Sequence, residues 1–204
     1  MMEKVVKQYF QKNSKYLQQG IPDLDSFYSG IRHFFGDTDY DIFTSIITDE
    51  LYPFVKPNIL SHMTYIPEFF MKNNSHVYEI EIPPSIKEWG NGAFWDCEAL
   101  DRVIFNNSSL TYIGDGAFHG CNNLDDVEIP SSIKVICKGA FEDCYSLTTI
   151  KFNEGLVSID NYAFDGCKNL IEFALPKSVE YFGYKALPSG PKVTVSVYHN
   201  TIGE

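Results

Sequence analysis

The sequence predicts an α+β protein: a short parallel-β solenoid of about five coils over residues 77–204, preceded by a helical domain over residues 1–76. Three observations carry that reading. Ala-Phe pairs recur at almost constant spacing through the second half of the chain. Short runs of alternating apolar residues recur in register with them. The first 76 residues instead place apolar side chains three and four apart, the spacing of one helix face.

The repeat sets the architecture. Ala93-Phe94, Ala117-Phe118, Ala140-Phe141 and Ala163-Phe164 are separated by 24, 23 and 23 residues, and Ala186-Leu187 is a degenerate fifth pair. Three residues after each Phe stands Cys97, Cys121, Cys144 or Cys167, and three further on Leu100, Leu124, Leu147 or Leu170. An alternating pair follows: Val103/Phe105, Val127/Ile129, Ile150/Phe152 and Phe173/Leu175, with Ile80/Ile82 one repeat earlier. A spaced pair closes each unit: Ile86/Trp89, Leu110/Ile113, Ile133/Ile136, Leu156/Ile159 and Val179/Phe182. Alternation predicts a short strand with one face buried. Stacked coils align those strands into a parallel sheet, the spaced pair returns along another face, and the Ala-Phe segment turns tightly between them. No coil buries its apolar edge alone, so stability comes from neighbours.

The units "IGDGAFHGCNNLDDVEIPSS" (113–132) and "ICKGAFEDCYSLTTIKFNEG" (136–155) resemble BspA-like leucine-rich repeats, marked by I-G-x-x-A-F-x-x-C-x-x-L-x-x-V-x-I-P. The resemblance spans roughly residues 77–198. It implies a curved solenoid with a role in adhesion or protein binding, often on secreted or surface proteins. The segment "ALPSGPKVTVSV" (186–197) departs from the pattern and reads as a terminal cap, since end repeats must stop presenting an open edge.

In the first domain, Val6, Tyr9, Phe10 and Leu17 mark one helix, closed by Gly20 and Pro22. Leu24, Phe27, Tyr28, Ile31, Phe34 and Phe35 form the apolar face of a second, with Asp23 as its N-cap. Phe43, Ile46, Ile47, Leu51 and Phe54 mark a third. A fourth is expected around residues 58–72, interrupted by Pro67. This domain reads as a cap on the first repeat or as a separate binding unit.

Charge narrows the partners. The net charge is −11, and phosphate recognition needs clustered Lys and Arg, so nucleic acid and anionic membrane are not expected ligands. Residues 1–76 hold 7 basic and 9 acidic side chains, whereas residues 77–204 hold 9 and 18. Lys4, Lys7, Lys12 and Lys15 break any apolar run at the start, which argues against a signal peptide. No stretch reaches the ~20 apolar residues of a membrane span. A cytoplasmic or host-cell intracellular location is therefore expected, and an extracellular one if the chain is a trimmed fragment. The sequons at Asn73, Asn106 and Asn107 read as unmodified on the same ground.

No constellation nominates a catalytic centre, so the chain is expected not to be an enzyme and to need no cofactor. The histidines are scattered, and no H-E-x-x-H, G-x-S-x-G or phosphate-binding glycine motif occurs. Asp37, Asp39 and Asp41 begin like a calcium loop, but Ile42 stands where glycine is required and Thr48 where glutamate is. The four in-register cysteines cannot converge on one metal and read as a buried thiol ladder. Cys137 lies outside it and is expected to be the more exposed thiol.

The outward sheet positions are the candidate site. They form two columns: Glu79, Arg102, Asp126, Thr149 and Glu172, then Glu81, Ile104, Glu128, Lys151 and Ala174. Five of these ten are acidic and two basic. Such a face covers roughly 250 Å², against ~800 Å² per partner in a standard interface, so flanking loops must contribute. The expectation is a non-catalytic module that binds a protein partner through this face. The alternatives are an acidic inhibitor that mimics nucleic acid and blocks a basic cleft, and a surface adhesin or structural protein.

Overall fold

The computed structural model describes residues 60, 64–106, 109–188 and 194–197. Twelve short strands follow in chain order: β1 Tyr65–Ile66, β2 Glu79–Ile82, β3 Glu88–Trp89, β4 Arg102–Phe105, β5 Tyr112–Ile113, β6 Asp126–Ile129, β7 Val135–Ile136, β8 Thr149–Phe152, β9 Ser158–Ile159, β10 Glu172–Leu175, β11 Tyr181–Phe182 and β12 Thr194–Val197. The alternating pairs form a six-stranded parallel sheet in the order β12-β10-β8-β6-β4-β2. The spaced pairs form the return face, a four-stranded sheet β11-β9-β7-β5 and a two-stranded sheet β1-β3.

The return face is interrupted between β3 and β5, and the break falls in the 24-residue coil. Its additional residue lies between Phe105 and Leu110, where the other coils space the matching residues one closer. Tyr112 bridges the gap with its hydroxyl, which accepts from the Trp89 N–H at 3.2 Å and donates to the Trp89 C=O at 3.4 Å.

Three columns hold the coils together. Phe94, Phe118, Phe141 and Phe164 stack with centroids 5.5, 5.3 and 5.2 Å apart and ring planes within 18° of parallel. Each Phe N–H donates to the Ala carbonyl of the next coil, as in Phe94 to Ala117 (2.9 Å) and Phe118 to Ala140 (2.8 Å). Cysteine forms the third column. The thiols of Cys121, Cys144 and Cys167 donate to the carbonyls of Phe94, Phe118 and Phe141 one coil back, each at 3.1 Å. Cys97 does the same to Met71 at 2.9 Å. A buried carbonyl left without a donor is costly, which explains a small, apolar residue that still carries a proton at this place.

The ladder reaches upstream of residue 77. Tyr65–Ile66 pairs with Glu88–Trp89, Met71 N–H donates to Ala93 C=O, and Phe70 packs edge-on against Phe94. Asn74 takes the place that cysteine holds in later coils, and its buried Oδ1 accepts the N–H groups of His76 and Val77. The helix expected around 58–72 is thus strand and turn over residues 64–72. Pro67 cannot continue a helix, and the open edge of the Ile80–Ala93 coil draws this segment into register. The helices expected over residues 1–59 lie outside the described residues.

Among the described residues the cysteines are free; Cys97, Cys121, Cys144 and Cys167 are buried, and Cys137 is half-buried. Burial raises the Cys121 and Cys144 pKa well above the ordinary thiol range, and the neighbouring thiols of the ladder add to it. Cys137 is pushed up to about 11 by burial and then by Asp115 and Asp160. Native protein should therefore leave Cys121, Cys144 and Cys167 unlabelled by a thiol reagent until denaturant is added. Cys137 should label slowly, its rate rising about tenfold per pH unit between roughly pH 8 and 10 as the thiolate fraction grows. Rapid native labelling of a ladder thiol would contradict this assignment. Cys144→Ala should lower unfolding free energy by about 1–3 kcal/mol in urea titration, through the uncapped carbonyl and the vacated volume.

Candidate functional site

The six-stranded sheet turns one row of side chains inward and the other out. Ile80, Val103, Val127, Ile150 and Phe173 are buried along the first inward column. Facing outward, Glu79, Arg102, Asp126 and Thr149 are exposed and in register with one another, and backbone register places Glu172 of β10 next to Thr149. In the second column Glu81, Glu128 and Lys151 are exposed, while Ile104 and Ala174 are half-buried. Register places Glu81 beside Ile104 and Glu128 beside Lys151.

The face is not a uniform ladder. β2 pairs with β4, β6 with β8, and β10 with β12 over all four residues. β4 meets β6 only at Arg102–Asp126, and β8 meets β10 only at Thr149–Glu172. The residue after each strand supplies the reason. It is Pro83, Asn106, Pro130, Asn153 and Pro176 in turn. Asn106 N–H donates to Ile82 C=O at 3.0 Å and Asn153 N–H to Ile129 C=O at 3.2 Å, which fastens the strand end to the coil before it. Pro130 and Pro176 have no N–H to offer Phe105 and Phe152. The sheet is therefore three strand pairs joined at two loosened seams.

The same asparagines hold the acidic column. Asn106 Nδ2 donates to Glu81 Oε2 at 3.0 Å, and Asn153 Nδ2 donates to Glu128 Oε1 at 3.5 Å and to Ile129 C=O at 3.0 Å. Arg102 Nη1 lies 3.4 Å from Glu79 Oε2. Both groups are about half exposed, so the pair adds little stability and chiefly orients two charges. Above the second seam lies a depression of about 690 Å³, bounded by residues of β6, β8 and β10 together with Ile171. The asparagines and the seams were not among the expected site features. Their signal was present as the alternation of Pro and Asn after successive strands.

Among the described residues no group of three or more His, Cys, Asp or Glu side chains could hold a metal ion. Asp37, Asp39 and Asp41 lie outside them. No described helix is long and apolar enough to cross a membrane.

The family model for BspA-type leucine rich repeat regions matches in six copies, over residues 51–109 and 100–202. The chain belongs to that family. Its structure is similar to the pneumococcal vaccine antigen PcpA, at 30% identity and TM-score 0.55, over 59% of this chain and 30% of the antigen. A leucine rich cell surface protein of Faecalibacterium prausnitzii matches at 26% identity and TM-score 0.50, over 61% and 30%. A leucine-rich repeat protein of Eubacterium ventriosum matches at 26% and 0.55, over 65% and 34%. The chain spans about a third of the length of these proteins. No curated protein matches it.

The role given to the strand-end asparagine is directly testable. Asn153→Pro should convert the β6-β8 pair into a third seam. Urea denaturation should show a loss of about 1–2 kcal/mol, for a backbone hydrogen bond and the Nδ2 contacts removed, with the rigidity of proline offsetting part of it. An unchanged midpoint would discard the pairing account.

Proposed function

We propose that this chain is a protein-interaction module that binds a partner through the outward face of the six-stranded sheet and its adjoining loops. One observation carries the reading. Glu79, Glu81, Arg102, Asp126, Glu128, Thr149 and Lys151 stand exposed in two registered columns on a scaffold whose inward columns are almost fully buried. The strand pairing holds their backbone at fixed spacing, so little backbone freedom is lost on binding, which favours recognition. The acidic majority of the columns favours a partner with a complementary basic surface. Membership of the repeat family is in keeping with binding rather than catalysis.

A second reading, a surface-displayed adhesive protein, draws support from the Faecalibacterium prausnitzii relative, which is a cell surface protein. In that setting the same face binds its partner outside the cell, so the two readings share a site and differ in location.

The tagged 204-residue chain should capture one stoichiometric partner at low salt. The double variant Glu128→Lys/Glu172→Lys should weaken that capture more than tenfold while leaving the thermal unfolding curve unchanged. Capture that survives the charge reversal would move the binding site elsewhere.

A further inference from the structure

The outward face changes character at its β8-β10 seam. Along the second column the long side chains of Glu128 and Lys151 give way to Ala174. The missing length leaves the depression of about 690 Å³, walled by Glu128, Thr149, Lys151 and Asn153 and by the apolar pair Ile171 and Ala174. That volume lies within the ~300–1,000 Å³ typical of sites that enclose a compact group. Ile171 is 57% exposed, on a face whose outward positions are otherwise mostly polar. Pro176 keeps the second halves of β8 and β10 from closing over the space.

Charge sets the second requirement. Glu128 and Lys151 are neighbours in register, yet Glu128 is engaged by the Asn153 amide. Among the side chains the structure describes, no carboxylate lies within 4 Å of the Lys151 ammonium. An apolar floor beside an ammonium that makes no close ion pair among the described side chains is complementary to an aliphatic side chain that travels with a carboxylate. Seating the aliphatic group removes Ile171 and the Ala174 methyl from water, and the carboxylate adds a charge-assisted contact that fixes orientation. A buried apolar anchor with a polar rim is the usual form of an interface hot spot.

We propose that this depression seats a large aliphatic side chain from an extended segment of a protein partner, with a neighbouring carboxylate of that segment on Lys151. The proposal rests on the sheet face being the partner-binding surface, and it names the anchor point on that surface. The occupant is a protein segment because the open seam runs along the strands, matching an extended chain whose side chain enters beside β8.

Two small probes test it on the isotope-labelled 204-residue chain by amide chemical-shift titration: N-acetyl-L-leucine, which carries a carboxylate, and N-acetyl-L-leucinamide, which does not. Both should shift residues 149–153 and 171–175, with dissociation constants on the order of millimolar for probes of this size. The acid should bind severalfold more tightly than the amide at low salt. Lys151→Gln should remove that preference while the amide still binds, and Ala174→Arg should fill the depression and lose both probes. The amide spectrum itself reports whether each variant is folded. The proposal is overturned if neither probe shifts these residues at about 50 mM, well above the affinity expected for their size, or if Ala174→Arg binds both unchanged. It is also overturned if methyl β-glucoside shifts the same residues as strongly as the leucine probes, which would make the site a carbohydrate subsite. Probe failure alongside partner capture that remains sensitive to Glu128→Lys/Glu172→Lys removes the anchor and keeps the face. Capture insensitive to that charge reversal removes the face itself.

Discussion

Everything in this molecule depends on each coil covering the apolar edge of the coil before it. A single coil has an Ala-Phe turn, one inward strand residue pair and a spaced pair, far too little to close a core by itself. Stacking turns these into continuous columns, and the Phe column shows the consequence: four rings lie 5.2–5.5 Å apart and nearly parallel. The backbone of the Ala-Phe turn sits inside this stack, where its polar groups would be stranded. The next coil answers with an alanine carbonyl for the Phe N–H and a cysteine thiol for the Phe C=O. Burial and hydrogen bonding are thus satisfied by one translation, and a change in coil length disturbs both at once.

A second regularity runs at twice the coil length. Strand ends alternate between proline and asparagine, and the residue two after each Phe alternates as well, being Asp96, Gly120, Asp143 and Gly166. All four adopt positive φ. A Cβ at Gly120 would collide with Asp96 Oδ1, and one at Gly166 with Asp143 Oδ1. The aspartate of one coil therefore occupies the space that glycine vacates in the next. The strand faces of the coils are fastened in pairs by the asparagines, while the Asp-Gly fit joins the turns of the two coils on either side of each looser seam. The outward face inherits the pairing. Glutamates held by Asn106 and Asn153 project from the fastened pairs, and the accessible depression forms at a seam.

The coil around β11 departs from the burial pattern of the coils before it. Phe182 occupies the column filled by Trp89, Ile113, Ile136 and Ile159, which are at most 3% exposed, but it is itself 41% exposed. Tyr181 and Tyr184 beside it are exposed too. Strand β12 pairs with β10 along its whole length, so the segment read as a cap adds a strand to the six-stranded sheet, while among the described residues β11 is the edge strand of the return face.

By itself the sequence determined the repeat length, the identity of the buried columns and which strand residues point outward. Each of these follows from local periodicity, because alternation fixes facing and a constant spacing fixes register between neighbours. The thiol ladder was legible in the same way, as four cysteines at one phase of the repeat. Only the tertiary structure decided what those thiols do, since their acceptors lie 26 or 27 residues back along the chain. It also decided that residues 64–76 join the ladder. Their composition fits either a helix or a coil, and the open apolar edge of the following repeat selects the coil. The loosened seams belong to the same class. Proline and asparagine after a strand are unremarkable one at a time, and they acquire meaning only when the neighbouring carbonyl that needs an N–H is brought alongside.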